Sequence, residues 1–354
     1  VTVPASGDAV RDLAARVAPA DPDVRRRAAN HLGALATPPG ALGDLGALAV
    51  RLAAATAQLP PPTFDDAAVI VCAGDHGVHA QGVSPWPQAV SAVMADTVAS
   101  GRAGVSAIAA AVGARVVVVD VGLATPLGRR TAVHDARVVD GTRDASTQDA
   151  LTMEEAARCV LAGAEAADRA IGEGASVLVT GDLGIANTTA SAALVAACTG
   201  ASAAAATGRG TGIDDDTLAT KIKVVDAILA RTVDLDEPLD LLAAVGGAEH
   251  AALVGVILAG AARRVPVVLD GVIADAAALV AVRLAPAALD HLVAGHLSTE
   301  PGATAALEHL GLTPLLDLDL RLGEGSGAAL AVPIVRAAAR ILRDVATLEE
   351  LGLG

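Results

Sequence analysis

Aromatic residues are almost missing from this chain of 354 residues: it has one Phe, one Trp and no Tyr. That argues against single-stranded nucleic-acid binding, which depends on aromatic stacking platforms. Basic residues are also scarce. Lys and Arg number 25 against 40 Asp and Glu, a formal net charge of −15. No surplus exists from which to build a basic face for nucleic acid, although a local anion site stays open. Cys72, Cys159 and Cys198 are the three cysteines, far apart and without a CxxC pair. This excludes a disulfide framework and makes a reducing cytoplasm the expected location. The N-terminal segment shows no basic region running into an apolar one, so no secretory signal is expected. No membrane span is expected either. The longest uncharged stretch, Leu183 to Gly208, is mostly Ala, Ser, Thr and Gly.

What is present is apolar content, 53% of the chain, with 18% charged. This suffices for a sizeable core and excludes global disorder. The length suits one large domain with a smaller one. Helical periodicity opens the chain at Val10, Leu13, Ala14 and Val17 and continues from Val24 to Leu35. A turn at Thr37–Gly40 leads into a second amphipathic run, Leu42 to Leu59, closed by Pro60-Pro61-Pro62. The pattern then changes. Short β-rich apolar runs (68–72, 116–119, 177–179, 265–269 and 292–293) alternate with Ala-rich helical segments. Such continuously apolar runs are expected of parallel strands covered on both faces. The predicted fold is an open, doubly wound, Rossmann-like α/β sheet. Ala328 to Leu348 reads as a final helix that returns to the N-terminal ones. The predicted division is a small helical domain from residues 1–60 plus 325–354, and a large α/β domain over residues 61–324.

Small and polar residues follow the strands, where sheets of this kind place their ligands. Gly181-Asp182-Leu183-Gly184-Ile185-Ala186-Asn187-Thr188 opens a long helix and reads as an anion cradle. The alternative is ordinary capping by Asn187 or Thr188. Gly208-Arg209-Gly210-Thr211-Gly212 permits close backbone approach to a ligand, and both lysines of the protein, Lys221 and Lys223, follow it. A retained Lys in an Arg-rich chain suggests a compact charge for phosphate, with Lys221 preferred over Lys223. In Arg321-Leu322-Gly323-Glu324-Gly325 a single carboxylate is held among glycines, a candidate general base or an exposed turn acid. Asp75-His76-Gly77-Val78-His79 suggests a structural or substrate-orienting role rather than a metal site, since no HExxH or Cys/His cluster accompanies it. Trp86 sits in a proline-bracketed loop, with Met94 two helical turns on. The pair suits either core packing or the wall of a flat aromatic ligand.

Together these segments resemble the nicotinate mononucleotide:dimethylbenzimidazole phosphoribosyltransferase family of cobalamin lower-ligand assembly. The resemblance runs from about Thr37 to Leu348. It includes GDHGVHAQGVS, GDLGIANTTASAA, GRGTGIDD, AGHLSTEPGA and LLDLDLRLGEGSGAALAVPIV. It implies transfer of the ribose phosphate of nicotinate mononucleotide to a benzimidazole nitrogen, giving α-ribazole phosphate and nicotinate. It implies Glu324 as the base and Asp182 as a second catalytic acid, standing where the family usually has Glu. The phosphate and ribose fall to Leu183, Gly184, Ala186, Asn187, Thr188, Gly208, Gly210 and Lys221. The aromatic base falls to Trp86, Met94 and Leu322. Trp86 is bulkier than the residues expected there, which bears on base preference. The resemblance also implies a homodimer, with the partner's small domain closing the site, and no metal or other cofactor.

Two other readings remain. Val116–Asp120 followed by Ala124-Thr125 faintly matches a phosphoribosyl pyrophosphate motif, though without its second acid and Gly-rich loop. A non-catalytic mononucleotide-binding protein is compatible with the same fold.

Overall fold

The computed structural model describes residues 7–128 and 131–353. Residues 1–6 and 354 of the expected helical domain lie outside them. The helices before the sheet are α1 (Gly7–Ala15), α2 (Pro22–Ala34) and α3 (Gly43–Thr56). Strand β1 (Ala67–Gly74) is followed by α4 (Ala89–Ala99), α5 (Gly104–Val112), β2 (Ala114–Gly122) and β3 (His134–Asp135). Next come α6 (Met153–Gly172), β4 (Val177–Leu183), α7 (Asn187–Thr199), α8 (Ala203–Ala206), α9 (Asp215–Thr232), α10 (Pro238–Val245) and α11 (Ala248–Ala262). The chain closes with β5 (Val267–Leu269), α12 (Val272–Leu284), β6 (Leu292–Ala294), β7 (His296–Leu297), α13 (Pro301–Leu310), β8 (Leu316–Asp317) and α14 (Ser326–Asp344).

Six strands form one parallel sheet in the order β3-β2-β1-β4-β5-β6. This is the doubly wound order, and its direction reverses between β1 and β4. A crevice therefore opens beyond the carboxyl ends of those two strands. Every residue of β1 is buried. Its alternate side chains serve two cores: Ala68, Ile70 and Cys72 face α6 and α11, whereas Val69, Val71 and Ala73 face the layer of α3, α5 and α14. The first layer is packed backbone to backbone. A Cβ on Gly163 of α6 would lie 1.8 Å from Ala252 O, and one on Gly255 of α11 would lie 1.8 Å from Val160 O. Glycine is required at both positions.

Helix α14 spans the height of the sheet. Its first turn lies at the carboxyl ends of the strands. Farther along, Arg336 donates to the carbonyls of Phe64 and Asp65, just before β1, and of Val112 and Gly113, just before β2. The predicted final helix stops at Asp344 rather than Leu348, because the chain there turns to pair with α2. Thr347 forms an antiparallel bridge with Leu35, and Ala36 N–H donates to Ala346 O. Val17 likewise falls beyond α1. The run at 265–269 yields a strand only from Val267, since Pro266 has no N–H to contribute.

Candidate active site

A cavity of about 570 Å³ lies beyond the ends of β1, β4 and β5. Its wall brings together every residue assigned above to catalysis, phosphate, ribose and base, with one exception. Gly208 stands behind the wall. Its carbonyl accepts from Lys221 Nζ at 3.0 Å, and a Cβ there would lie 2.3 Å from Glu300 Oε2.

One end of the cavity is the turn between β4 and α7. Gly184 is pressed so tightly on β1 that a Cβ would stand 2.0 Å from Gly74 O. Ala186, at φ 75°, occupies the N-cap position, and no side chain caps the helix. Capping by Asn187 or Thr188 is therefore not realised, because both are engaged elsewhere. Asn187 Nδ2 donates to Asp182 Oδ2 at 2.9 Å, and Thr188 Oγ1 accepts from Lys221 Nζ at 2.8 Å. The turn is held from behind: Ile185 N–H donates to Ser91 Oγ at 3.1 Å, and Ser91 donates to buried Asp75. Asp75 also accepts Ala124 N–H at 3.0 Å. A helix N-terminus without a side-chain cap, beside a cation, is the kind of place that favours an anion. Lys221 is 1% exposed, whereas Lys223 is on the surface. Burial lowers the Lys221 ammonium to about 8, opposed in part by the nearby Glu300 carboxylate.

The other end is a strap, residues 321–324, that crosses β4. Glu324 is buried and adopts a left-handed backbone, φ 64°. The strap lies on Gly181, where a Cβ would meet Glu324 O at 2.6 Å. Asp270, at the end of β5, accepts Gly325 N–H at 3.1 Å and Ala328 N–H at 2.9 Å, so it caps α14 and fixes the turn that presents Glu324. Glu324 Oε2 accepts Val105 N–H at 3.4 Å. Burial raises the Glu324 carboxyl above its ordinary value; the Val105 bond opposes this and the Asp270 carboxylate adds to it. Asp182 is on the wall as well, its Oδ1 buried without a hydrogen-bond partner among the described residues. Burial, with Asp270 and Glu249 nearby, pushes its carboxyl well above the usual range. Trp86, Met94 and Leu322 are on the cavity wall, Leu322 in the same strap as Glu324. Trp86 is 50% exposed and Leu322 54%.

His76, Glu249 and His250 form a separate buried cluster, with ligand-type atoms all within 4.8 Å of one another. Its contacts are those of a hydrogen-bond network. Glu249 Oε1 lies 2.7 Å from both His76 Nε2 and His250 Nδ1, and His250 Nε2 is 2.8 Å from Ser191 Oγ. None of the three is on the cavity wall. His79 bonds the carbonyl of Trp86 at 2.8 Å and so supports the base loop. Asp120, the acid of the pyrophosphate-type reading, is spent on Gly122 N–H, Leu123 N–H and Arg137, away from the cavity.

Ser91, Ser298 and Glu300 line the cavity without having been singled out in the sequence. Glu300 precedes Pro301, and an acid before proline reads as an ordinary helix start. Among the described residues no helix is long and apolar enough to cross a membrane.

The crevice on this doubly wound sheet is that of a phosphoribosyltransferase, since the family model of that description matches residues 17–353. The chain belongs, more particularly, to the nicotinate-nucleotide–dimethylbenzimidazole phosphoribosyltransferase family. It is 51% identical to the protein of that name from Salinispora tropica, over 96% of this chain and 97% of that one. It is 48% identical to the one from Deinococcus radiodurans, over 97% and 95%. The crystal structure of the Thermus thermophilus protein superposes with a TM-score of 0.90 at 46% identity, covering 94% of this chain and 99% of that one.

Proposed function

We propose that this chain transfers the phosphoribosyl group of nicotinate mononucleotide to a benzimidazole base. The default base is 5,6-dimethylbenzimidazole, and the products are α-ribazole 5′-phosphate and nicotinate, for the nucleotide loop of cobalamin. The observation that carries this reading is one cavity whose wall holds both the α7 N-terminus with Lys221 and the strap with Glu324, with Trp86 and Leu322 among its lining. The leaving ring is a pyridinium. It departs as a neutral nitrogen heterocycle and needs neither a general acid nor a metal. The attacking benzimidazole nitrogen forms the new bond to the anomeric carbon as the old C–N bond breaks, inverting the configuration. The other ring nitrogen carries the N–H proton, and Glu324 accepts it. A carboxylate whose carboxyl is raised by burial is a stronger base than an exposed one. Asp182 faces the anomeric region and stabilises positive charge there whenever it is ionised.

The exposed Trp86 and Leu322 suit coverage by a second copy. From the family resemblance we further assign residues 1–60 and 325–354 to a helical domain that in a homodimer closes the partner's cavity, in a cytoplasmic enzyme; α3 and α14 of that domain also pack on the sheet of their own chain. The test is nicotinate release from nicotinate mononucleotide, without added metal, across a panel of bases. Release dependent on a benzimidazole supports the transferase, and the ranking of bases reports on Trp86. Mononucleotide binding with no release from any base would leave a binding protein instead.

A further inference from the structure

The cavity wall carries three carboxylates, Asp182, Glu300 and Glu324. The transferase reading uses the first and the last, and a role for Glu300 rests on that reading. Glu300 is 7% exposed. It holds the N-cap position of α13 but caps nothing with its side chain. Instead Oε1 reaches across the fold to accept Gly210 N–H at 2.7 Å. Oε2 accepts from no donor among the described residues and lies against Gly208, where only a glycine leaves it room. Lys221 does not pair with it; Nζ is bonded to Thr188 Oγ1 and Gly208 O. A buried carboxylate with one oxygen fixed and one uncommitted thus stands on the phosphate side of the cavity.

We infer that Glu300 reads a hydroxyl of the substrate's ribose. A count of donors singles out the hydroxyls. An ionised carboxylate only accepts hydrogen bonds. Nicotinate mononucleotide at neutral pH carries an ionised phosphate, an ionised ring carboxylate and a pyridinium with no N–H. Its hydrogen-bond donors are the 2′- and 3′-hydroxyls of the ribose. The phosphate and the ring carboxylate would be repelled by Glu300, and the pyridinium offers it charge but no hydrogen-bond donor. Glu300 and its neighbour Ser298 are on the wall of the same cavity as the phosphate cradle, where the ribose that carries the phosphate must also lie. Acids play this part toward ribose hydroxyls in other doubly wound sheets. Glu300 is thereby a specificity-determining residue that separates ribosyl from deoxyribosyl substrates.

The test is turnover of nicotinate mononucleotide and of its 2′-deoxy and 3′-deoxy analogues by the full chain and by Glu300→Ala and Glu300→Gln. Removing a hydroxyl also changes the intrinsic reactivity of the glycosidic bond, but that change is common to all three proteins and cancels in the comparison. The expected result is a loss of about 10–100-fold in kcat/KM for one deoxy analogue with the native protein. In both variants that penalty shrinks to within about threefold. The glutamine variant keeps an oxygen for Gly210 N–H and so preserves the loop. A residue that merely shaped the loop would lower all three substrates equally and leave the penalty intact, which would overturn the inference. So would a native protein indifferent to both hydroxyls. Failure of the native protein to turn over nicotinate mononucleotide itself, with any base, would refute the transferase reading first and this inference with it.

Discussion

Asn187 donates to Asp182 Oδ2 at 2.9 Å, and this bond decides what each residue is left free to do. Asn187 is withdrawn from capping α7, which leaves the helix N-terminus open to a ligand. Asp182, on the cavity wall, keeps one oxygen buried and without a partner among the described residues. Asn187→Ala leaves both oxygens without a donor, and stability should fall by about 1–3 kcal/mol. Urea unfolding of Asn187→Ala, Asp182→Ala and the double variant checks this. The two losses should overlap, with the double variant less destabilised than their sum. Strictly additive losses would show that the bond contributes nothing.

Glu324→Gln should lower turnover by about 10²–10⁴-fold while mononucleotide binding and the fold persist. Near-native turnover would remove Glu324 from the base role. The pH dependence has a definite sign. The carboxyl is raised in the folded protein above the ordinary 4.5, so kcat/KM should rise with pH through that higher value. Ionising it also costs the fold, and the cost grows as pH rises from the ordinary value to the raised one. Glu324→Gln escapes it and should melt at the same temperature as the native chain or higher at pH 7. Acidification below about 4 protonates the carboxyl in both states and closes the gap.

Lys221 loses its charge through about 8 in the empty site. The KM for nicotinate mononucleotide should therefore rise above that pH. Lys221→Met, which retains bulk without charge, should raise KM by about 10–100-fold and give a flat profile from about pH 7 to 9. An unchanged KM would count against phosphate recognition by this residue.

Gly181→Ala should act on chemistry without touching substrate. Its Cβ would collide with Glu324 O at 2.6 Å and push the strap away from the sheet. We expect kcat to fall at least about tenfold, since small misplacements of a reacting group are costly, while mononucleotide KM moves little. Steady-state kinetics separate the two. A matched rise in KM with unchanged kcat would show that the strap had not moved.

Much of this was legible in the sequence for simple reasons. Buried parallel strands are continuously apolar, so β1, β2 and β4 stand out. Their ends are marked by Gly and Asp, because the backbone must turn there and approach a ligand closely. Lys221 was legible because lysine is rare in this chain. The parts that escaped are contacts between distant segments. Glu300 reaches Gly210, and Asp75 with Ser91 reaches Ile185; neither link follows from local periodicity. The two-residue strands β3, β7 and β8 carry too little pattern to be read. The end of α14 depends on a bridge to Leu35, which no window around Leu348 contains.

Helix α14 works as a tie rod. One end presents the strap with Glu324, and Arg336 bolts it to four carbonyls at the opposite edge of the sheet. The rod runs about 15 Å from Ser326 to Arg336 at 1.5 Å per residue. Loosening the bolt lets the far end drift, and a drift too small to unfold anything is large for a proton transfer. Damage at Arg336 would thus surface as a slow enzyme with an intact cavity, at a position that a survey ranked by distance from the substrate would pass over.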